Sequence, residues 1–114
     1  MIMLNVNLEN KKVILTGGSR GIGLSILKKL YSLNSQILII GSNKENLERV
    51  KKIYPNIFVE VFNLSNHDQI ENLFNICMNK LGGLDVLINN AGITKDNLAI
   101  RMNKAEWSDV IDLN

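Results

Sequence analysis

The sequence predicts a doubly wound α/β fold: a parallel sheet of about four strands in the order 3-2-1-4, with helices on both faces. Three observations lead there. Four short apolar runs, at 13–15, 37–40, 57–62 and 86–88, are separated by stretches of helical spacing. That alternation means β-α-β units and a parallel sheet. Right-handed crossovers then leave a reversal point between the first and fourth strands. A glycine-containing motif follows each of those two strands, at 16–23 and at 89–92. Ligands bind outside the carboxyl ends of strands at such a point, so topology and motifs indicate one site independently.

Each element has its own signal. Val13, Ile14 and Leu15 run into Thr16-Gly17-Gly18, which suits a buried parallel strand entering a turn. Ile22, Ile26, Leu30 and Leu33, with Leu27 beside them, have helical spacing. Residues 37–40, all Ile or Leu, form the second strand. Ser42-Asn43-Lys44-Glu45 reads as a capping box, with Ser42 accepting from an orphan N–H and Glu45 reaching back. The helix that follows carries Leu47, Val50 and Tyr54, and Pro55 stops it.

Ile57 to Phe62 is rich in β-branched and aromatic residues and reads as the third strand. Ser65 is expected to cap the next helix, whose inner face is Ile70, Leu73, Phe74, Cys77 and Leu81. Gly82-Gly83 ends it. Val86, Leu87 and Ile88 make the fourth strand. Residues 93–102 read as a loop, and Asn103-Lys104-Ala105-Glu106 offers a cap for a last helix carrying Trp107, Val110 and Ile111.

Composition narrows the function classes. Residues 1–114 are expected to form a single domain, 46% hydrophobic, with no apolar run as long as a membrane span. The first residues lack the basic segment and apolar core of a signal peptide. The net charge is +2 with no basic cluster, which argues against nucleic acid as a partner. One cysteine, Cys77, excludes an internal disulfide and fits a reducing compartment, and the missing signal segment makes the cytoplasm the expected location. The single histidine, His67, has no second metal-type ligand at regular spacing. Cys77 is expected to be a small buried hydrophobe and Asp85 a turn residue.

The glycine motif carries chemistry. A pyrophosphate needs backbone N–H groups and the positive end of a helix, and its close approach requires residues without bulk. Gly17, Gly21 and Gly23 meet that need in a G-x-x-x-G-x-G spacing. Arg20, inside the loop, is placed to meet a 2′-phosphate. NAD-binding folds put an acidic residue about 20 residues beyond the loop, where it binds the ribose 2′-hydroxyl. Here the second strand ends Ile40-Gly41-Ser42-Asn43-Lys44, with no carboxylate at the tip. Ser42 is able to donate to a 2′-phosphate, and Arg20 or Lys44 to pair with it. The residues therefore predict NADP(H) rather than NAD(H).

Thr16-Gly17-Gly18-Ser19-Arg20-Gly21-Ile22-Gly23 together with Asn89-Asn90-Ala91-Gly92 resembles the short-chain dehydrogenase/reductases. The stretch from Gly92 to Met102, and the tail from Glu106 to Asn114, resembles one branch of them, the bacterial 3-oxoacyl-[acyl-carrier-protein] reductases. The resemblance covers the whole chain. It implies a Rossmann-like fold and NADPH-dependent reduction of β-ketoacyl thioesters in fatty-acid synthesis. It also implies a carrier-protein-linked substrate and a homo-oligomer when intact.

Residue by residue, the resemblance implies that Gly17, Gly18, Ser19, Arg20, Gly21, Ile22 and Gly23 cradle the pyrophosphate and adenosine phosphate. Ser42 would lie near the adenosine ribose. Asn63 and Leu64 would border the adenine, Asn63 standing where many relatives have Asp. Asn90, Ala91 and Gly92 would line the cofactor ribose, Asn90 also bracing the sheet. Asn114 falls on the asparagine of the catalytic tetrad. The helix carrying Trp107 and Ile111 would contribute to a dimer interface.

The family's reaction also needs a serine and a Tyr-x-x-x-Lys. Only Tyr31 and Tyr54 occur, followed four residues later by Ser35 and Phe58. The expectation is a cofactor-binding N-terminal part, inactive alone, with the fourth strand exposing an apolar edge and the isolated chain poorly soluble or partly molten. Two other readings stay open: a non-catalytic nucleotide-binding module, and a short-chain reductase of another carbonyl or alcohol.

Overall fold

The computed structural model describes residues 8–19, 21–63, 67–90 and 99–101, with His67 and the last three given through their backbone alone. The element order is β1 (Lys12–Thr16), α1 (Gly21–Ser32), β2 (Gln36–Gly41), α2 (Lys44–Ile53), β3 (Phe58–Val61), a 3-10 turn (His67–Gln69), α3 (Ile70–Leu81), β4 (Val86–Asn89) and β5 (Ala99–Arg101). The sheet order is β3-β2-β1-β4-β5. The first four strands are mutually parallel, so the expected 3-2-1-4 order holds.

Strand alternation sorts the core into two layers, because successive side chains leave a strand on opposite faces. Val13, Leu15, Ile37, Ile39 and Ile88 join Leu27 and Leu30 of α1 and Leu47 and Val50 of α2. Ile14, Leu38, Ile40 and Leu87 join Ile70, Leu73, Cys77 and Leu81 of α3. Helices α1 and α2 thus cover one face and α3 the other, because the crossovers through α1 and α2 step one way across the sheet and the crossover from β3 through α3 to β4 runs back the other way. Both faces of the central strands are buried, which is why their sequences are continuous apolar runs.

Helix ends follow local chemistry. Helix α1 ends with Asn34 at φ 62°. The N–H of Ser35 bonds the carbonyl of Leu30, and that of Asn34 the carbonyl of Tyr31. This is a Schellman arrangement with asparagine in the left-handed position. Helix α3 ends at Gly82, also left-handed, as its Gly-Gly pair predicts.

Three expectations are corrected. The cap of α2 is Asn43 rather than Ser42: its side chain accepts from the N–H of Asn46 at 2.9 Å, and Ser42 is an exposed bend residue before it. Both residue types cap well, and the helix begins one residue later than a Ser42 cap requires. Helix α3 starts at Ile70, behind the 3-10 turn, with no side-chain cap bond; Ser65 lies outside the described residues. The β4 edge is not bare, because β5 pairs antiparallel along it, Leu87 opposite Arg101 and Asn89 opposite Ala99. Part of the expected 93–102 loop is therefore strand, and it satisfies backbone groups that β4 would otherwise leave exposed. The last predicted helix, with Trp107 and Ile111, falls outside the described residues. Among the described residues no helix is long and apolar enough to cross a membrane.

Candidate nucleotide-binding site

The reversal point lies between β1 and β4, and both glycine motifs begin there. Thr16 and Asn89 end the two strands opposite each other in the ladder. They are the buried polar residues among those described, each fully shielded. Buried polar groups need partners, and a network supplies them. The Thr16 hydroxyl donates to Oδ1 of Asn89 at 2.7 Å. It accepts from the backbone N–H of Asn90 at 2.9 Å. Nδ2 of Asn90 in turn donates to the carbonyl of Gly17 at 3.1 Å. The N–H of Gly17 bonds the carbonyl of Ile40 at 2.9 Å, which brings in the end of β2.

The loop from Gly17 to Gly21 turns tightly onto α1. Gly17 and Gly21 sit at φ 71° and 60°, a region that residues with a Cβ rarely adopt. Gly23 is required by contact: a Cβ there would stand 1.8 Å from the Gly17 carbonyl oxygen and 2.6 Å from Nδ2 of Asn90. Among the described residues the outer side of the loop is open. A Cβ on Gly21 would meet nothing within 4 Å, and Ile22 is 60% exposed. The first turn of α1 holds no acidic residue, so its orphan N–H groups and positive dipole end face no carboxylate of their own helix. A close-packed inner wall, an open outer side and uncancelled positive potential fit an anionic group such as a pyrophosphate.

The second half of the candidate site lies at the carboxyl ends of β2 and β3. Gly41 is half-buried, Ser42 and Asn43 are exposed, and none is a carboxylate. Lys44 approaches Glu48 at 3.9 Å on the exposed side of α2. That is a weak surface pair, which leaves the ammonium available to a stronger anion. Asn63 is exposed just past β3.

The structure therefore brings Gly17, Gly18, Ser19, Gly21, Ile22, Gly23 and Asn90 together at the reversal point. Ser42 and Asn63 lie along the same carboxyl edge of the sheet. Arg20, Leu64, Ala91, Gly92 and Asn114 lie outside the described residues. Thr16 and Asn89 are structural keystones of the site that were not assigned a site role from sequence. Their signal was available: each is a polar residue closing an otherwise apolar run.

Other chemistry-bearing residues lie elsewhere. Tyr31 and Tyr54 pack edge to face, ring centroids 4.9 Å apart, against the α1–α2 layer. Cys77 is fully buried, and burial, with a lesser contribution from Glu60, pushes its thiol up to about 12. It is a protonated packing residue at neutral pH. Asp85 joins the amino ends of β1 and β4, its carboxylate accepting from the N–H of Lys12 at 2.8 Å and its own N–H bonding the Lys12 carbonyl at 2.8 Å. That is the end of the sheet opposite the candidate site.

Comparison with known proteins agrees with this geometry. The family model for short chain dehydrogenase matches residues 11–114. The 3-oxoacyl-[acyl-carrier-protein] reductase FabG of Rickettsia prowazekii is 41% identical over 110 residues, which cover 96% of this chain and 44% of that protein. The protein of the same name from Aquifex aeolicus is 35% identical over 117 residues, 97% of this chain and 47% of that one. The chain thus spans about half the length of the curated relatives it matches. A crystal structure of a short chain dehydrogenase from Bacillus anthracis superposes with a TM-score of 0.68 at 31% identity, covering 75% of this chain and 36% of that one. The sequence motifs, the strand order and these matches agree: the chain belongs to the short-chain dehydrogenase family.

Proposed function

We propose that these 114 residues form the cofactor-binding part of an NADPH-dependent 3-oxoacyl-[acyl-carrier-protein] reductase. The observation that carries this reading is the packing of Gly23 against the Gly17 carbonyl and the Asn90 amide. It holds an open glycine loop, at a helix N-terminus, against the end of β4. The substrate class rests on the names of the curated relatives.

In this reading the backbone of residues 17–23, with Ser19 and Arg20, holds the pyrophosphate. Ser42, Arg20 and Lys44 meet the 2′-phosphate, and the lack of a carboxylate at 41–43 removes the group that would repel it. Asn63 and Leu64 border the adenine, while Asn90, Ala91 and Gly92 line the second ribose. When bound, the nicotinamide supplies the hydride. Asn114 takes part in the proton relay. Tyr31 and Tyr54 are packed into the α1–α2 layer, and neither is followed by a lysine four residues on. The acid pair and the positioning serine therefore belong to a part of the reductase outside these residues, and the 114-residue chain alone is inactive. The intact enzyme is a cytoplasmic homo-oligomer acting on carrier-linked thioesters.

Fluorescence titration of the purified chain with NADPH and NADH tests the reading. NADPH is expected to bind at least about tenfold more tightly, within what one charge-assisted hydrogen bond of about 1.5–3 kcal/mol supplies. Tighter NADH binding overturns the cofactor assignment, and binding of neither overturns the cofactor-binding role. Reading the coding sequence past codon 114 tests the rest: a serine followed by Tyr-x-x-x-Lys is expected, and a stop codon with no such segment counts against a reductase.

A further inference from the structure

The sheet's β3 edge has a feature that the nucleotide site does not use. In the β2–β3 ladder the N–H of Phe62 bonds the carbonyl of Gly41. Backbone groups alternate in direction along a strand. Phe58, Glu60 and Phe62 therefore direct theirs toward β2, and Ile57, Val59 and Val61 direct theirs outward. An outward row of carbonyl and N–H groups is a template for another strand. The side chains here add to the hazard, since Phe58 is 39% and Val61 45% exposed, with Ile53 of α2 62% exposed nearby in sequence.

Two lysines lie across that row. Lys51, in the last turn of α2, donates through Nζ to the outward carbonyl of Ile57 and also to that of Pro55 at 3.0 Å. Lys80, in the last turn of α3, donates through Nζ to the outward carbonyl of Val59 at 3.0 Å, and pairs with the Glu60 carboxylate at 2.6 Å. Helices α2 and α3 cover opposite faces of the sheet. The two ammonium groups thus reach the same edge from both sides and occupy successive outward carbonyls. A strand adding there would have to displace both charges from their acceptors and desolvate them.

We propose that Lys51 and Lys80 form a two-sided guard that closes the β3 edge to strand pairing with a second copy of this chain. The test is sedimentation of the 114-residue chain over a concentration series, beside the variants K51M/K80M and K51R/K80R. Hydrogen exchange is followed at the Val59 and Val61 amides, which face outward. Methionine keeps an apolar stem and removes the charge; arginine keeps a donor. The expected result is that K51M/K80M associates at a concentration at least about tenfold lower than the parent, with new protection at Val59 and Val61, while K51R/K80R sediments like the parent. If the double methionine variant loses its circular dichroism, K51M and K80M singly are read the same way, each expected to associate more readily than the parent. The proposal fails if the methionine variants sediment like the parent, or if they associate without gaining protection at those two amides.

Discussion

At the carboxyl ends of β1 and β4, a hydroxyl, two amides and a carbonyl bond one another across 73 or 74 residues of sequence. At the tip of β2, the side-chain bonds among the described residues run along their own helix, Asn43 to Asn46 and Lys44 to Glu48. The first region is close-packed at its centre: Gly23 admits no Cβ without moving backbone. The second is exposed and polar. The contrast separates two tasks. A pyrophosphate is common to every dinucleotide, and the surface proposed for it is rigid and long-range. A ribose substituent differs between dinucleotides, and the surface proposed for it combines Arg20 of the loop with exposed side chains on a short local segment. In the proposed reading, a change at residues 41–44 would alter cofactor preference while leaving the packing of Gly23 against Gly17 and Asn90 in place.

Four substitutions test that contrast. The largest effect is expected from Gly23→Ala. The nearest atom to the new methyl is a backbone oxygen at 1.8 Å, so the loop must move. Urea unfolding should show a loss of about 3 kcal/mol, the upper end of an overpacked core, and NADPH binding should disappear. Unchanged binding would mean that the loop is not the rigid partner described here. Thr16→Val keeps the shape and removes two hydrogen bonds, and should cost about 1–3 kcal/mol by the same measurement, with Thr16→Ser near the parent. The smallest effect belongs to the β2 tip. Asn43→Ala removes the cap of α2 and should cost about 1 kcal/mol, leaving NADPH affinity nearly unchanged. A large loss of affinity in that variant would show that the tip is coupled to the phosphate loop after all.

The sequence carried the sheet order because its evidence is local and repeated: four apolar runs, three helical faces, and glycines placed just past two strands. The glycine loop was legible for the same reason, since a residue without Cβ is itself the sign of a close approach. The misses have a shared cause. Thr16 with Asn89 and Lys51 with Ile57 are pairings that only the folded chain creates, and a polar residue at a strand end or a lysine in a last helical turn has no distinctive local pattern. Sequence alone leaves the cap of α2 ambiguous by one residue, because Ser42 and Asn43 are both good caps and only the helix phase chooses between them. Strand β5 is not legible in the sequence, because three residues carry almost no periodicity; β4's outward backbone groups select them.

The Thr16–Asn89 pair has a consequence for how the chain finds its fold. β1 and β4 are short, nearly interchangeable runs of Val, Ile and Leu, and aliphatic packing alone discriminates poorly among alignments of such strands. A shift by one residue would turn the Asn89 amide toward the opposite apolar layer and part it from the Thr16 hydroxyl. Misaligned assemblies thus carry a penalty that the native one escapes. One buried hydroxyl and one buried amide act as a proofreading mark, rejecting out-of-step partners between segments that lie 73 residues apart in sequence. The glycine loop and Asn90, each fixed to one side of that mark, arrive in phase.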